Sequence, residues 1–478
     1  MSVKVVKSRH PKYEKNNYLW RQQELALEGG HVWINECLTR HPYESANRLT
    51  PNQCLERFEN RKRIATNPVQ VLPAVQKVQS SAQGSASGFD IKVDDEYIHE
   101  IISEDIDGNG SSAFSWLTNK PLFYGAGNGL VYLGIEVPAI PPDMETVTQA
   151  DMRNGRVAPP KWFYLKASDV LNWVEKDGDI YDGQFSRLMY KTSYPVMNSE
   201  TGFYDFQDAI VLYTDTEIIT YNDTGRKILN HEENSLGFVP IVSVDLGQSL
   251  INEGVDFSRT AIEINSYSLQ NQIDSFFNFI VARGFKMQST DEEGNTQVVH
   301  LASGKVVSTP EKDNFLEFIS PDSAVASETR EQINALQNQL DSSVQQAHTN
   351  FARSGATLGS GVAYKELGSY QAQSVKYIMD SLLDKFKVTV YYALSAISKS
   401  DAVVEMKKPE SYNFETQAEA IDQAEALDAL SSTALSKESK KAINALKIKK
   451  LVSDSELRGV IIDADNDAID SEVPTSTI

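Results

Sequence analysis

The organisation of this chain is set by two stretches, 257-FSRTAIEINSYSLQNQIDSFFNFIVA-282 and 321-PDSAVASETREQINALQNQLDSSVQQAHTN-350. In each stretch, apolar residues recur at helical spacing, which places them along one stripe of an α-helix. At about 1.5 Å per residue, each helix would be roughly 40 Å long. That length exceeds what one protomer needs for its own core, so we expect the stripes to pack against copies of the chain. The stripe residues are Ile262, Leu269, Ile273, Phe276, Phe277 and Ile280 in the first stretch, and Ile333, Leu336, Leu340 and Val344 in the second.

The segments that follow the two stretches have distinct sequence patterns of their own. Residues 284–320 contain short strand candidates separated by glycine turns, which predicts a small β-containing insert between the two helices. Glycines make residues 350–362 a flexible loop, and the apolar spacing over 363–398 predicts a third long helix. Arg353 is the one basic residue of that loop. A surface loop with one solvated arginine is the simpler interpretation of the loop taken alone.

Upstream of the long helices, the pattern changes from helical to mixed. Residues 1–66 are predicted to be helical, with a break at Gly29-Gly30 and a restart at Thr50-Pro51, where threonine caps and proline takes the first position. A small-residue linker is predicted over 79–89, and strands and short helices over 90–245. The predicted fold class is therefore α+β. Strands are expected around 130–137, 163–165, 186–194, 209–213, 217–221 and 227–229, and helices around 97–102 and 112–118. The turn Asp223-Thr224-Gly225 is expected to join the last two strands as a hairpin, and residues 236–242 are expected to form a turn that leads into a further strand.

The part of the chain after the third long helix has a different composition. Residues 401–465 are rich in alanine and acidic side chains, which predicts a set of helices. Ser453 and Glu456 have the spacing of a capping box, which predicts a short helix there. Residues 466–478 are predicted to be disordered.

Composition and charge exclude several classes of protein. A net charge of −21 argues against a protein that grips nucleic acid by its phosphates, because such binding needs clustered Lys and Arg. The acidic charge either keeps the chain soluble or, in a ring, lets DNA slide without sticking. No transmembrane helix and no signal peptide are predicted. Cys37 and Cys54 lack partners at disulfide or zinc spacing, which fits a reducing compartment.

The sequence offers no convincing catalytic, cofactor or metal site. Residues 105-DIDGNG-110 resemble the front half of an EF-hand loop, but the closing glutamate position holds Trp116, so we favour a polar turn that caps a helix. The glycines of 125-GAGNG-129 precede a strand, whereas nucleotide loops follow one, so they are read as a turn. The chain has no P-loop, zincin or nucleophile-elbow motif.

Taken in this order, the segments resemble those of the portal proteins of tailed bacteriophages, the head-to-tail connectors. The likeness covers about residues 10 to 400 and depends on the order and spacing of short pieces, each of them weak alone. Beyond residue 400 only the helical character is shared. The pieces are His10-Pro11-x-Tyr13, Glu56-Arg57-Phe58-x-x-Arg61, Asp107-Gly108-x-Gly110-Ser111, Leu122-Phe123-Tyr124-Gly125, Asn172-Trp173, Gly237-Phe238-Val239-Pro240-Ile241-Val242 and Ser354-Gly355.

The resemblance implies a portal-type fold in a cyclic ring, usually of about twelve copies. Its implied regions are an α/β wing over 1–255, stem helices over 257–282 and 321–349, a clip over 284–320, a tunnel loop over 350–362, a long wing helix over 363–398 and a helical crown over 401–465. The residues implied to pack the stem are Ile273, Phe277, Ile280, Ile333, Leu336 and Leu340. Those implied to line the DNA channel are Phe351, Arg353, Ser354, Gly355, Leu358 and Gly359.

The resemblance also implies partners and a location. Portal proteins are not enzymes; they occupy one capsid vertex, through which DNA is packaged and ejected. The implied partners are further copies of the chain, double-stranded DNA, the large terminase, the major capsid protein and head–tail adaptor or tail proteins. The implied location is the virion, after assembly in the host cytoplasm. The resemblance implies no membrane association, no cofactor and no metal.

Two alternatives remain at this point. Another head-completion or tail-adaptor component of a virion would share the oligomeric helices, although such proteins are usually shorter and lack the third long helix. A metal-dependent hydrolase built on the cluster from Asp105 to Asn109 belongs to a different class of function.

Overall fold

The computed structural model shows a mixed α+β protein, as predicted. Its contacts divide the chain into two compact units. The first unit comprises residues 1–27, 71–255 and 342–478, and the second comprises 28–70 and 256–341. The predicted segment 1–255 is thus divided, because residues 28–70 group with the long helices. The structure describes residues 2–40, 51–137, 149–154, 156–176, 184–197, 201–276, 279–283, 288–290, 296–298, 315–319, 324–355, 367–397, 402–409 and 412.

Within the described residues, helices precede and follow a run of seven consecutive strands in the middle of the chain. The helices are α1 (Ser2–Lys7), α2 (Pro11–Glu28), α3 (Gly30–Cys37), α4 (Pro51–Ile64), α5 (Leu72–Gln83), α6 (Glu96–Glu104), α7 (Ala113–Asn128), α8 (Gln149–Arg153), α9 (Asn252–Phe276), α10 (Ala324–Gly355) and α11 (Leu367–Ala396). The strands are β1 (Asp90–Val93), β2 (Leu130–Glu136), β3 (Lys161–Lys166), β4 (Val170–Glu175), β5 (Phe185–Met197), β6 (Tyr204–Thr214), β7 (Glu217–Asn222), β8 (Ile228–Glu233), β9 (Ile241–Asp245), β10 (Phe279–Arg283), β11 (Gln288–Thr290), β12 (Thr296–Val298), β13 (Phe315–Ile319) and β14 (Val404–Lys407).

The two larger sheets of the first unit are antiparallel. One has the strand order β4-β5-β6-β7-β8, and the other has the order β3-β2-β9. The turn between β7 and β8 is the predicted hairpin turn: Gly225 has a φ of 70°, and the Asn222 side chain accepts backbone hydrogen bonds from Arg226 and Lys227. Strands β2, β3 and β5 to β9 confirm the sequence prediction, whereas no strand is predicted over β4.

The core of the first unit joins both sheets to the first long N-terminal helix. Trp20 of α2, Tyr132 of β2 and Phe185 of β5 belong to one buried apolar cluster. On the three-stranded sheet, α7 and α11 supply the helical layer. Trp162 of β3 donates a hydrogen bond from Nε1 to Thr389 Oγ1 of α11 at 2.8 Å, and both groups are buried. The long helix α11 is therefore an integral part of this core.

The glycine-rich run at the end of α7 is helical, so the prediction of a turn over 125–129 was wrong up to Asn128. Gly127 lies so close to Leu27 that a side chain would collide with it, which explains the glycine by packing. The helix ends at Gly129, whose φ of +74° is the left-handed conformation typical of a helix C-terminus. Helix α7 is consequently more than twice the length predicted from its apolar spacing.

Gly129 and Gly110 provide a matched pair of substitutions. Both have positive φ, but a Cβ on Gly129 would lie 2.5 Å from the backbone of Gln248, whereas a Cβ on Gly110 meets nothing within 4 Å. Gly129→Ala should therefore lower the free energy of unfolding by about 2 kcal/mol, and Gly110→Ala by about 1 kcal/mol. Denaturant titrations of the two variants provide the comparison, and equal losses would contradict the steric explanation.

In the second unit, the N-terminal helices α3 and α4 pack on α9. Trp33 donates a hydrogen bond from Nε1 to Ser258 Oγ at 3.2 Å. The break at Gly29 and the start of α4 at Pro51 confirm the predicted helix boundaries. Cys37 is buried with a free thiol, and burial raises the pKa of that thiol to about 12, so it stays protonated and unreactive at neutral pH.

The two long helices have different limits from those predicted. Helix α9 runs from Asn252 to Phe276 rather than over 257–282, and strand β10 follows it. Ile280 therefore lies in a strand, opposite Phe318 of β13, so its assignment to the helical stripe was wrong. Phe, Ile and Val are favourable in strands, and pairing with β13 stabilises the extended form. Strands β11 and β12 form a second antiparallel pair, which confirms that the insert contains β structure.

Two further predictions differ from the structure. The linker predicted over 79–89 is helical as far as Gln83, because alanine, serine and glutamine permit helix where their neighbours Val75 and Val78 are buried. The predicted helical region 401–465 begins with strand β14, which pairs antiparallel with β1. Residues 413–478 lie outside the described residues, as do Leu358 and Gly359.

No helix in the described part of the chain is long and apolar enough to cross a lipid bilayer.

Candidate functional site at the end of the second long helix

Helix α10 continues into the segment predicted to be a loop. It ends at Gly355, so the predicted start of the loop at residue 350 was wrong. Phe351, Arg353, Ser354 and Gly355 are the last helical residues rather than loop residues. The helix propensities of residues 351–354 allow the helix to continue through them. It ends at Gly355, the first of the glycines in this segment. A segment linking α10 to α11 can therefore begin only after Gly355.

Phe351 is a core residue in this chain. Its side chain is fully buried, and its ring centroid lies 6.1 Å from that of Tyr377 of α11. The adjacent Ala352 is also buried. The prediction that Phe351 contacts a passing polymer is therefore wrong for this conformation, because burying a large aromatic ring stabilises the fold more than exposing it. Phe351 instead fixes the last turns of α10 to α11.

His348 makes a second contact between these helices, one turn before Phe351. Its Nδ1 lies 2.5 Å from Ser374 Oγ of α11, in a buried environment. Burial lowers the pKa of His348 to about 4, with a smaller contribution from the positive charge of Lys77. The imidazole is therefore neutral at pH 7. Protonation would place a positive charge between two buried helix faces, which is what disfavours the charged form.

The opposite face of the same turns borders a cavity of about 430 Å³ within the first unit. Ser343, Gln346, Ala347 and Asn350 follow helical spacing and supply this wall. The remaining wall comes from α2, from the end of α7 and from the connection between β9 and α9. We call this space the polar cavity. No feature of the sequence indicated it, because its walls come from four separate segments.

A buried carboxylate lies behind one wall of the polar cavity. Glu24 accepts hydrogen bonds from Asn128 Nδ2 at 2.7 Å and from Ser168 Oγ at 2.5 Å. Burial raises the pKa of Glu24, and the hydrogen bond from the Ser168 hydroxyl opposes that effect. These bonds fix the orientation of the Asn128 amide, because its nitrogen must face the carboxylate. The Asn128 carbonyl oxygen consequently points away from Glu24.

The stem-packing residues have different environments in the single chain. Leu340 is buried, with 2% of its surface exposed. Ile333, Leu336 and Val344 are only half-buried, so part of the predicted apolar stripe of α10 stays accessible. Ile273 lies in α9, and its side chain is among those the structure does not describe, as is Phe277. Of the residues predicted to pack the stem, the structure therefore describes the side chains on α10, but not those of Ile273 and Phe277.

The carboxylates of the polar turn at residues 105–110 accept hydrogen bonds from backbone groups of the same turn. Asp105 Oδ1 accepts a hydrogen bond from the Gly110 backbone at 2.7 Å, and Asp107 Oδ1 accepts one from the Asn109 backbone at 3.0 Å. Burial raises the pKa of Asp107, but hydrogen bonds from Asn109 and Ser111 outweigh it and lower the pKa overall. Trp116 lies in the core, 6.5 Å from the Phe386 ring. Among the described residues, no cluster of three or more His, Cys, Asp and Glu side chains is placed to hold a metal ion.

Two of the short motifs that carry the resemblance lie far apart in the chain but contact each other in the structure. The His10 ring stacks on the Trp173 ring with centroids 3.8 Å apart. Asn172 Nδ2 donates to Ser8 Oγ at 2.9 Å, and the His10 backbone donates to the Leu171 carbonyl at 3.1 Å. The pattern His10-Pro11-x-Tyr13 and the pair Asn172-Trp173 thus form one contact, which attaches the start of α2 to β4.

A scan of protein-family models finds no match to this chain, and a search of the curated proteins finds none.

Proposed function

We propose that this chain is the portal subunit of a tailed bacteriophage: about twelve copies would form the ring through which DNA enters and leaves the capsid. The observation that carries the proposal is the order of elements from Asn252 to Ala396. A long helix, a β-containing insert, a second long helix and a third long helix follow each other in that order. The first unit, which is mixed α+β and includes α11, corresponds to a wing in this proposal.

The accessible stripe of α10 supports association between copies. Ile333 and Leu336 are half-buried in the single chain, although both belong to the apolar stripe. Burying the rest of such side chains contributes about 25 cal/mol per Å² of apolar surface. In a closed ring, each copy would present this stripe to its neighbour, and the gain would be repeated at every interface.

The charge of the chain supports a channel that does not retain DNA. Each copy carries a net charge of −21, so a ring would repel the phosphates of a passing duplex rather than bind them. In this proposal, the large terminase supplies the energy for packaging, and the ring also contacts the major capsid protein and head–tail adaptor or tail proteins. The segment that follows Gly355 would narrow the bore.

Deleting residues Ser354 to Gly359 should separate channel function from assembly. Phe351 and Ala352 are buried against the core and remain in the deletion variant, so we expect rings to form normally. Packaging or retention of DNA should fall to a small fraction of the wild-type level, because the segment that narrows the bore is shortened. Filled and empty heads can be counted after complementation of a portal-deficient phage.

A replacement of the same six residues by glycine and serine is the matched control. It keeps the length of the segment but removes the side chains of Thr357 and Leu358, so partial activity would show that length matters more than chemistry. Normal packaging by the deletion variant, with intact rings, would refute the role of this segment in the channel.

A further inference from the structure

Strands β5 and β6 extend beyond the sheet to which they belong. The two strands pair with each other along almost their whole length, but β4 pairs with β5 only as far as Tyr190, and β7 pairs with β6 only from Ala209. Segments 192–197 and 204–208 therefore form a two-stranded ribbon, about 20 Å long at roughly 3.4 Å per residue. Its outer edges have no partner strand among the described residues. We call this ribbon, together with Phe203, the arm.

One face of the arm is apolar and exposed. Directly opposed residues of an antiparallel pair share a face, which places Met197 with Tyr204 and Pro195 with Phe206. Strand alternation puts both pairs on the same side of the ribbon. Phe206 is 71% exposed, Tyr204 is 59% exposed, and the neighbouring Phe203 is 76% exposed. A two-stranded ribbon is at best marginally stable alone in water, so this face indicates a partner that covers it.

The aromatic side chains of the arm supply a large part of an interface. At about 200 Å² per aromatic side chain, the three exposed fractions correspond to roughly 400 Å². A stable interface takes about 800 Å² from each partner, so these side chains alone provide about half of one side. Single exposed apolar residues need no partner, but a contiguous face of this size marks an interaction site.

The charge of the arm indicates what kind of surface covers it. Residues 192–208 contain three acidic residues and no basic one. Asp208 is exposed and lies two residues from Phe206, which puts it on the apolar face. Such a surface repels nucleic acid and anionic lipid, and two arms placed against each other would bring like charges together. The complementary surface is therefore basic and carries exposed apolar side chains.

The N-terminal segment of the same chain has that character. Residues 2–19 contain five basic residues and one acidic residue, although the whole chain has a net charge of −21. On α2, Lys15, Tyr18 and Leu19 follow helical spacing, so they share one side of the helix. All three are exposed, and Tyr18 is 65% exposed. We call these three residues the α2 face.

We propose that the arm of one copy packs on the α2 face of a neighbouring copy. The aromatic face of the arm covers Tyr18 and Leu19, and Asp208 lies beside Lys15. Because the two surfaces differ, the contact is heterologous, and its repetition from copy to copy generates a closed ring or a filament. The contact rests on the self-association that the proposed function requires, but it does not depend on a DNA channel.

The double variant Phe203→Ser/Phe206→Ser tests the apolar part of this contact. It should weaken self-association about tenfold or more, and sedimentation velocity of the full-length protein over a concentration series should show smaller species. Both side chains are exposed, so the unfolding temperature should not change. Val174→Ser is the matched control, because it removes an apolar side chain of β4 that is 53% exposed and lies outside the arm. Its sedimentation profile should be that of the wild type.

Reversal of charge tests whether the two surfaces are partners. Asp208→Lys and Lys15→Glu should each weaken self-association several-fold, because each places like charges across the contact. The double variant Asp208→Lys/Lys15→Glu restores an opposite pair and should recover most of the wild-type association. Two residues with separate structural roles would instead give additive losses.

The outcomes separate this contact from the portal proposal. A ring that survives Phe203→Ser/Phe206→Ser unchanged would overturn the arm contact and leave the portal proposal standing. Additive losses in Asp208→Lys/Lys15→Glu would also overturn the contact, since the arm would then have another partner. A ring that needs the arm but neither packages nor retains DNA would support the contact and refute the portal proposal. A wild-type chain that stays monomeric would overturn both.

Discussion

Arg61→Ala should lower the free energy of unfolding of the second unit by about 4 kcal/mol. Arg61 is 1% exposed, and its guanidinium donates to Ser266 Oγ at 3.1 Å and to the Thr39 carbonyl at 2.6 Å. It also lies over the Tyr267 ring, 4.4 Å from the centroid, and over the Phe58 ring at 5.3 Å. Truncation would leave a cavity between α4 and α9 and remove both hydrogen bonds. Hydrogen exchange of the peptides covering these two helices measures the local loss.

Arg57→Ala is the control on the same helix. Arg57 is exposed, so its removal should change the free energy of unfolding by no more than about 0.5 kcal/mol. Arg61→Met should fall between the two variants, because it fills the space but forms neither hydrogen bond. Equal protection in Arg61→Ala and Arg57→Ala would show that Arg61 does not stabilise the contact between α4 and α9.

Acidification should destabilise the first unit through His348. The pKa of this imidazole is about 4 in the folded chain and about 6.5 when unfolded. Between those values, the unfolded chain binds a proton that the folded chain does not. The stabilisation is therefore complete above pH 6.5 and is lost progressively as the pH falls toward 4. The loss attributable to His348 should reach roughly 3 kcal/mol at pH 4.

The variant His348→Gln removes the titrating group while keeping a polar side chain beside Ser374. Its unfolding free energy should depend less on pH between 4 and 6.5 than that of the wild type. Arg187, an exposed residue of β5, provides the control, and Arg187→Gln should retain the wild-type profile. A wild-type profile in His348→Gln would mean that other groups cause the acid sensitivity.

Most elements with a clear period were predictable from the sequence. The strands from β5 to β9, the hairpin at Gly225 and the start of α4 at Pro51 follow from alternation, turn residues and capping. The end of α9 was not predictable, because Phe279, Ile280 and Val281 fit both a helical pattern and a strand pattern. Their pairing with β13 is what makes this segment a strand. Likewise, the close packing of Leu27 explains why position 127 of helix α7 is a glycine, a residue that local spacing interprets as part of a turn.

The candidate site was less predictable than the fold. The glycines that follow Phe351 predict a loop, whereas its burial depends on Tyr377, which is distant in sequence. The polar cavity left no signal at all. Gln23 and Asn128 are ordinary polar residues in helices, and only their burial without donors sets them apart. Sites assembled from separate segments need tertiary information that local spacing does not contain.

The mass of the purified protein in solution is the decisive measurement for the portal proposal. Twelve copies of a 53.2 kDa chain would have a mass of about 640 kDa, and a closed ring should give one sharp species near that value. Native mass spectrometry or light scattering after size exclusion resolves the subunit number. A particle of about ten to fourteen copies is the predicted result. A monomer or dimer, at concentrations where phage rings assemble, would contradict it.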